Sequence, residues 1–139
     1  MLSLVIPIYN EEKIVKDTIL TVKNYMDNNF DSYEVIFVDD GSKDNTLKIA
    51  NELSDDKIKI ISYEKNKGKG GAVRTGMLAA EGDLIFYTDC DLAYGLDVVK
   101  QGCDIFEQNK KADIIIGSRK KHKEGYAGYT FLRKKKKPI

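Results

Sequence analysis

Short apolar runs alternate along the chain with stretches in which apolar side chains recur every three or four positions. The runs are rich in β-branched residues and too short for helices, so they predict buried strands. The predicted strands cover residues 2–8, 34–39, 58–63, 84–88 and 113–117. The helical spacing predicts helices over about 12–28 and 45–53 and around the apolar positions of 72–80 and 98–106. Gly82 is expected to end the third helix, and no element is predicted after Arg119.

This alternation predicts an α/β fold, with a mostly parallel sheet whose strands are joined by right-handed helical crossovers. Ligands of such sheets bind outside the carboxyl ends of the strands. Polar groups follow four of the predicted strands: Tyr9, Asn10 and Glu11, then Asp39 and Asp40, then Asp89 and Asp91, then Arg119. We therefore expect these groups to lie together at one edge of the sheet.

Asp89 and Asp91 flank Cys90 directly after a buried apolar run. Residues two apart in an extended chain face the same side, so both carboxylates can point at one ligand. Oxygen ligands of this kind suit Mg²⁺ or Mn²⁺, which complete their coordination with phosphates and water. Such an ion would neutralise charge on a departing diphosphate. The alternative interpretation is an ordinary surface turn.

Two loops each have a structural and a functional interpretation. Residues 39–42 (Asp-Asp-Gly-Ser) form either a turn with a helix cap or the place where a carboxylate accepts an N–H of a nucleobase. Residues 66–71 are either a flexible linker or a loop that binds an anion through its amides and through Lys67 and Lys69.

Other polar residues, and the absence of several known motifs, limit the kinds of reaction that the chain could catalyse. Tyr9 either covers the sheet edge or stacks on a base, and Arg119 either pairs with phosphate or begins a basic tail. The glycine loop matches neither a Walker P-loop nor a dinucleotide fingerprint, and no nucleophile elbow is present. His122 is the only histidine, which disfavours a histidine-based triad or metal site.

Composition places the chain among ordinary globular domains. It has 139 residues, 42% hydrophobic and 32% charged, which fits one domain. No apolar run approaches the length of a membrane span. Cys90 and Cys103 are too few for a disulfide scaffold, so we expect buried thiols in a reducing, cytoplasmic compartment.

Charge is distributed unevenly. Residues 119–139 contain nine Lys or Arg and one acidic residue, whereas residues 1–118 contain 14 basic and 21 acidic residues. A basic terminal segment is either a solvated tail or a surface that attracts anionic lipid or phosphate. Nucleic acid is disfavoured as a partner, because the body of the chain is acidic and has no base-stacking motif.

Five segments carry a resemblance to a known family: VIPIYNEE, VDDGSKDNT, NKGKGGAVRTGM, TDCDLAYG and IIGSR, in this order between residues 2 and 119. With them the chain resembles family 2 glycosyltransferases of the GT-A fold, especially the polyprenyl-phosphate sugar synthases such as dolichyl-phosphate mannose and glucose synthases. The third segment is more similar to the glucosyl branch. The resemblance implies a Rossmann-like, mostly parallel sheet flanked by helices.

The resemblance also implies roles for individual residues. The nucleotide of the sugar donor is bound in that family at the positions of Pro7, Tyr9, Glu11, Val38 and Asp40. Asp89, Cys90 and Asp91 match the family's Asp-x-Asp motif for Mg²⁺ or Mn²⁺ and the donor diphosphate, and Arg119 matches a basic contact to the donor phosphates. Cys90 stands where alanine is usual, so only its backbone is expected to matter.

The acceptor implied by the resemblance is a polyprenyl phosphate, which is already anionic and attacks with inversion at the cytoplasmic face of a membrane. Members of the family usually continue well past the last matching segment. We therefore interpret residues 1–119 as a donor-binding domain and 120–139 as a basic tail, the start of a missing acceptor region. The alternatives are a transferase for a polysaccharide or soluble acceptor, and a truncated, non-catalytic fragment that binds nucleotide sugar. The choice between monomer and homodimer stays open.

Overall fold

The computed structural model describes residues 1–118 and 130–134, and the chain divides into two compact units, Met1–Leu92 and Ala93–Ile139. The first unit alternates strands and helices as the sequence predicts. Its strands are β1 (Leu2–Ile8), β2 (Tyr33–Asp40), β3 (Ile58–Tyr63) and β4 (Leu84–Tyr87), and its helices are α1 (Val15–Asn29), α2 (Thr46–Glu52) and α3 (Gly68–Ala79).

The strands of the first unit form one parallel sheet in the order β3-β2-β1-β4. Along the central pair, Leu2 lies opposite Tyr33 and Ile8 lies opposite Asp39, while β4 pairs with the other side of β1. A helix stands between each strand and the next along the chain, as parallel crossovers require. The predicted mostly parallel sheet flanked by helices is confirmed, and the carboxyl ends of its strands meet at one edge.

The core of this unit lies around the two central strands. Every residue of β2 is buried, and β1 is buried except at Pro7, because helices cover a central parallel strand on both faces. Helix α1 adds one apolar face to the core, consisting of Val15, Ile19, Val22 and Met26. These buried runs are the ones whose sequence is almost continuously apolar.

Helix α3 packs closely on the sheet through Gly76. A Cβ atom at this position would lie 2.4 Å from Cγ1 of Val5 and 3.0 Å from Cγ2 of Val38. Ala72, one turn earlier on the same helix, is fully buried in a cluster with these two valines. The small residues of α3 therefore let this helix lie close against β1 and β2.

Gly82 has a different role from the predicted one. Helix α3 ends at Ala79, and Ala80 already has an extended backbone, so Gly82 does not end the helix. A Cβ atom at Gly82 would lie 2.6 Å from Oγ of Ser3 and 2.7 Å from the carbonyl oxygen of Met1. Glycine is needed here because the chain entering β4 passes close to the start of β1.

The second unit contains α4 (Asp97–Gln108), β5 (Ile115–Ser118) and β6 (Thr130–Lys134). The strands β5 and β6 pair antiparallel in a separate two-stranded sheet. The prediction that residues 113–117 add a fifth strand to the parallel sheet is therefore wrong. Ile114 and Ile116 are about half exposed, so this apolar run is not buried on both faces as a central parallel strand would be.

Two further expectations concern the boundary of the predicted domain and membrane-spanning segments. The predicted boundary between residues 119 and 120 falls outside the described residues and stays a prediction. In the part of the chain that the structure describes, no helix combines the length and the apolar character needed to cross a lipid bilayer.

Candidate functional site

A cavity of about 470 Å³ opens at the carboxyl edge of the parallel sheet. It lies among the ends of β1 and β2 and the loops that follow β3 and β4. Its lining consists of Pro7, Ile8, Tyr9, Glu11, Asp40, Asn66, Gly68, Lys69, Asp89, Cys90 and Asp91. The structure thus brings together most of the residues that the sequence singled out, from four separate segments of the chain.

Some predicted site residues lie elsewhere. The side chain of Val38 is fully buried in the core against Val5 and Ala72, so it does not line the cavity. Arg119 lies outside the described residues. Ile8 is a lining residue that was not among the candidates. Asn66 and Gly68 were expected only as parts of the 66–71 loop, whose amides were predicted to bind an anion.

The loops that follow β1 and β2 are tied to each other by hydrogen bonds. The backbone N–H of Asn10 donates to Oγ of Ser42 at 2.9 Å, and Oδ1 of Asn10 accepts from the backbone N–H of Lys43 at 2.8 Å. The backbone N–H of Glu11 donates to Oγ1 of Thr46 at 2.8 Å. These bonds fix Tyr9 and Glu11 beside the cavity, and they hold Asn10 in the left-handed region with φ +51°.

Asp40 holds the loop between β3 and α3. Its buried carboxylate accepts from the hydroxyl of Tyr63 at 2.6 Å and from the backbone N–H of Lys67 at 2.8 Å, both on Oδ1. Oδ2 accepts from the side-chain amide of Asn66 at 3.0 Å. A carboxylate offers about four acceptor positions, so Oδ2 can take one more donor from the cavity. Burial and the bond to Asp40 raise the pKa of Tyr63.

Gly41 lets this loop approach β2. Its φ of +76° is in the left-handed region, and a Cβ atom would lie 2.7 Å from the carbonyl oxygen of Glu64. The neighbouring Asp39 is buried and accepts the backbone N–H of Ser42 through Oδ2 at 3.2 Å, which is the predicted turn. Of the two aspartates that could meet a base, the structure therefore places Asp40 on the cavity.

The Asp89-Cys90-Asp91 segment is a turn, not an extension of the strand. Strand β4 ends at Tyr87, and the backbone N–H of Leu92 donates to the carbonyl of Asp89 at 3.0 Å. The expectation that an extended chain aligns the two carboxylates is therefore wrong, although both side chains line the cavity. Leu92, which closes this turn, has a backbone in the left-handed region with φ +53°.

Cys90 fastens this turn to α1. Its carbonyl oxygen accepts from the hydroxyl of Thr18 at 2.8 Å, and its side chain is buried. Burial raises the pKa of the Cys90 thiol to about 11, so the thiol is neutral at physiological pH. The chemistry of the turn therefore belongs to the flanking aspartates.

Negative charge predominates in the cavity. Burial, with the nearby charges of Asp91 and Asp44, raises the pKa of Glu11. Lys69, from the first turn of α3, forms an ion pair with Oδ1 of Asp89. Among the lining residues, the acidic groups Glu11, Asp40, Asp89 and Asp91 face this one basic side chain.

The carboxylates of Asp89 and Asp91 fit Mg²⁺ or Mn²⁺ if a phosphorylated ligand completes the coordination. In the part of the chain that the structure describes, no group of three or more His, Cys, Asp or Glu side chains is arranged to hold a metal ion. Mg²⁺ is commonly held by one or two carboxylates together with substrate phosphates and water. Asp89 and Asp91 supply that number of carboxylates, so they suit an ion that arrives with a phosphorylated ligand.

Comparisons with known proteins identify the family of this chain. A sequence profile described as Glycosyl transferase family 2 matches residues 3–138. A dolichyl-phosphate beta-glucosyltransferase of Mus musculus is 40% identical over 146 residues, which cover 95% of this chain and 45% of that protein. The chain spans less than half the length of this mouse protein, and also of the uncharacterized glycosyltransferase YkcC of Bacillus subtilis.

Solved structures share the fold. The mannosyltransferase PcManGT from Pyrobaculum calidifontis, in complex with GDP-Man and Mn²⁺, has a TM-score of 0.66 and 23% identity, covering 76% of this chain and 32% of that one. The glucosyl-3-phosphoglycerate synthase from Mycobacterium tuberculosis, with Mn²⁺ and UDP, has a TM-score of 0.54 and 28% identity, covering 65% and 33%.

Proposed function

The chain belongs to glycosyl transferase family 2, and we propose that it acts in the transfer of a hexose from a nucleotide sugar to a polyprenyl or dolichyl phosphate. The observation that carries this proposal is the cavity where Asp40, Lys69, Asp89 and Asp91 meet. These groups provide a hydrogen-bond acceptor for a base and charges for a diphosphate in one place. The name of the mouse relative supports the class of acceptor.

The nucleoside of the donor binds between Tyr9 and Asp40 in this proposal. Tyr9 is 44% exposed at the cavity, so its ring can stack on a base. Oδ2 of Asp40 accepts an N–H of the base through its remaining acceptor position. Pro7 and Glu11 line the same side of the cavity. The predicted phosphate contact of Arg119 stays a prediction.

The diphosphate lies toward Lys69, Asp89 and Asp91. The two aspartates would hold Mg²⁺ or Mn²⁺, which supplies positive charge to neutralise the leaving diphosphate. The Mycobacterium synthase, solved with Mn²⁺ and UDP, supports a divalent ion that binds together with the nucleotide. The Lys69 ammonium adds a second positive charge from the chain itself.

The chemical step needs positioning more than proton transfer. A phosphate oxygen of the acceptor attacks the anomeric carbon, the bond from that carbon to the diphosphate oxygen breaks, and the nucleoside diphosphate leaves. Attack opposite the leaving group inverts the configuration. Because the attacking oxygen is already anionic, no side chain has to remove a proton. The cavity residues orient the donor and stabilise the departing charge.

A panel of ligands tests the proposal. We expect UDP, GDP, UDP-glucose and GDP-mannose to differ in how far they raise the thermal unfolding midpoint, with the largest increase in the presence of Mn²⁺. A ligand at one hundred times its Kd stabilises by about 2.7 kcal/mol. The same samples are then incubated with dolichyl phosphate and labelled donor.

Each result distinguishes one interpretation. Labelled lipid supports the proposal, and labelled product only with a hydroxyl acceptor supports a transferase for polysaccharide or soluble acceptors. Binding without product from either acceptor indicates a nucleotide-sugar-binding fragment. A chain that is stabilised by no nucleotide, with or without Mn²⁺, contradicts all three.

We further propose that the basic residues of 120–139 hold the protein at an anionic membrane surface on the cytoplasmic side. Each basic side chain near such a surface contributes about 1 kcal/mol, and the attraction weakens as salt screens it. Co-sedimentation with phosphatidylserine vesicles should therefore fall as salt increases. Co-sedimentation that does not respond to salt contradicts this assignment.

A further inference from the structure

Lys69 lies at the proposed site of both the metal ion and the diphosphate. It belongs to the first turn of α3, which begins at Gly68, and its side chain reaches across the cavity to Oδ1 of Asp89. Asp89 is one of the two carboxylates assigned to the metal ion. The lysine that would contact the diphosphate is therefore already paired with a proposed metal ligand.

The ion pair between Lys69 and Asp89 is suited to exchange. Their side chains are 58% and 38% exposed, so water competes for both groups. Exposed ion pairs of this kind are weak and change a binding equilibrium by no more than about fivefold. The lysine side chain has several rotatable bonds and a compact ammonium group, so it can change partner without movement of the helix.

The surrounding charges explain why a cation belongs at this place. Glu11 and Asp91 line the same cavity, and burial together with the nearby Asp91 raises the pKa of Glu11. Among the residues that line the cavity, Lys69 is the basic one. A divalent cation on Asp89 would remove the need for this ammonium and would repel it.

We propose that Lys69 is a displaceable cation, which neutralises Asp89 in the ligand-free protein and moves to the diphosphate when the metal ion and nucleotide bind. The proposal rests on the proposed function. Metal ion alone must compete with Lys69 for Asp89, whereas metal ion together with a nucleoside diphosphate gives Lys69 a new anionic partner. Lys69 thereby makes the binding of the two ligands cooperative.

Lys69→Gln is the variant that tests this exchange, and its two effects have opposite signs. Without nucleotide, we expect Lys69→Gln to bind Mn²⁺ more tightly than the wild type, by up to about fivefold, because the competing exposed ion pair is gone. In saturating Mn²⁺, we expect it to bind UDP and GDP several-fold more weakly. Electron paramagnetic resonance of free Mn²⁺ measures the first affinity, and calorimetry measures the second.

Two controls separate the exchange from a general effect of charge. Lys65→Gln removes the same charge from the same loop at an exposed residue for which the structure gives no ion pair with a described residue. It should leave both affinities within about twofold of the wild type. Lys69→Arg keeps the charge and should retain the weaker binding of Mn²⁺ alone.

The results distinguish failure of this inference from failure of the proposed function. If Lys69→Gln binds Mn²⁺ alone as weakly as the wild type or more weakly, the exchange is wrong, even though Mn²⁺-dependent nucleotide binding persists in the wild type. If the wild type itself binds no nucleotide in Mn²⁺, both the proposed function and the role of Lys69 are wrong.

Discussion

At the amino ends of the parallel strands, the buried carboxylate of Glu34 is surrounded by donors. It accepts from the hydroxyl of Ser3, the ammonium of Lys59 and the backbone N–H of Glu81, each at 2.6 Å. Burial alone would raise the pKa of Glu34, but the Glu81 N–H, Lys59 and Ser3 together hold it below its ordinary value. Every donor of this cluster comes from the chain itself.

At the carboxyl ends of the same strands, the acidic groups have fewer compensating charges. Burial and the neighbouring Asp91 and Asp44 raise the pKa of Glu11, and Oδ1 of the buried Asp39 has no hydrogen-bond partner among the described residues. The comparison separates two uses of acidic residues in one sheet. The Glu34 cluster stabilises the fold, whereas the carboxyl edge retains negative charge that a bound cation can neutralise.

The largest effect is expected from Glu34→Ala, which should lower the free energy of unfolding by about 2–4 kcal/mol, because it leaves the Ser3 hydroxyl and the Glu81 N–H without their acceptor. Nucleotide affinity of the folded protein should not change. Urea unfolding measures the first quantity and calorimetry the second. Glu52→Ala, at an exposed helix position, is the control and should change stability by less than about 0.5 kcal/mol. A loss of similar size in the control would contradict the special role of Glu34.

Asp91→Asn should have the reverse pattern at the carboxyl edge. We expect Mn²⁺-dependent nucleotide affinity to fall at least about 100-fold, or about 2.8 kcal/mol, because one of two proposed metal ligands loses its charge. Stability should change by no more than about 0.5 kcal/mol, because Asp91 is exposed. Asp56→Asn, another exposed aspartate, should affect neither quantity. Unchanged nucleotide affinity in Asp91→Asn would show that the metal assignment is wrong.

Two tyrosines offer a matched test of the two ends. The hydroxyl of Tyr63 donates to Asp40 at the cavity at 2.6 Å, and the hydroxyl of Tyr33 donates to Asp27 near the amino edge at 2.7 Å. Phenylalanine at either position should cost about 1.5 kcal/mol of stability, the lower value for a hydrogen bond to a charged group. Only Tyr63→Phe should also weaken nucleotide binding, by a few-fold, because it loosens the loop that leads to Lys69. Equal effects of both variants on affinity would argue against this positioning role.

The extent of β1 and β3 could be predicted to the residue because both are apolar runs closed by polar turn residues. The local pattern could not show which strand pairs with which. Residues 113–117 look like another buried strand, yet β5 pairs antiparallel with β6. The sequence of β6, Thr-Phe-Leu-Arg-Lys, has no clear alternation of apolar and polar residues, so it was missed. Pairing depends on contacts far apart in sequence, which periodicity does not report.

In the candidate site too, some features could be predicted from the sequence and others could not. Asp40, Asp89 and Asp91 could be placed at the cavity because polar residues after parallel strands meet at one edge. The hydrogen bond from Thr18 to the carbonyl of Cys90 joins residues 72 positions apart, and Asp40 and Tyr63 are 23 positions apart. Neither hydrogen bond can be predicted from a local sequence pattern. Sequence reasoning therefore found groups that line the cavity but not the residues that position them.

The smallest expected effect concerns pH and has opposite signs at the two ends. Because the folded-state pKa of Glu34 is lowered, its stabilising contribution is present above its ordinary pKa of 4.5 and is lost as the pH falls through the folded value. Because the folded-state pKa of Glu11 is raised, the charged form destabilises the fold at neutral pH, and that cost disappears as the pH falls through the raised pKa toward 4.5.

Glu11→Gln should consequently raise the stability at pH 7 by up to about 0.5 kcal/mol, and the gain should vanish at about pH 4. Glu34→Gln should lower stability at pH 7, with the loss shrinking as the pH falls below 4.5. Thermal unfolding midpoints of both variants across this range measure the two slopes. A gain in Glu11→Gln that persists at pH 4 would arise from packing instead of charge, and the carboxyl edge would then hold no uncompensated negative charge at Glu11. If the stability changes of the two variants vary with pH in opposite directions, the acidic residue at the amino edge is compensated by donors of the chain. The acidic residue at the carboxyl edge is then not compensated and can meet a bound cation.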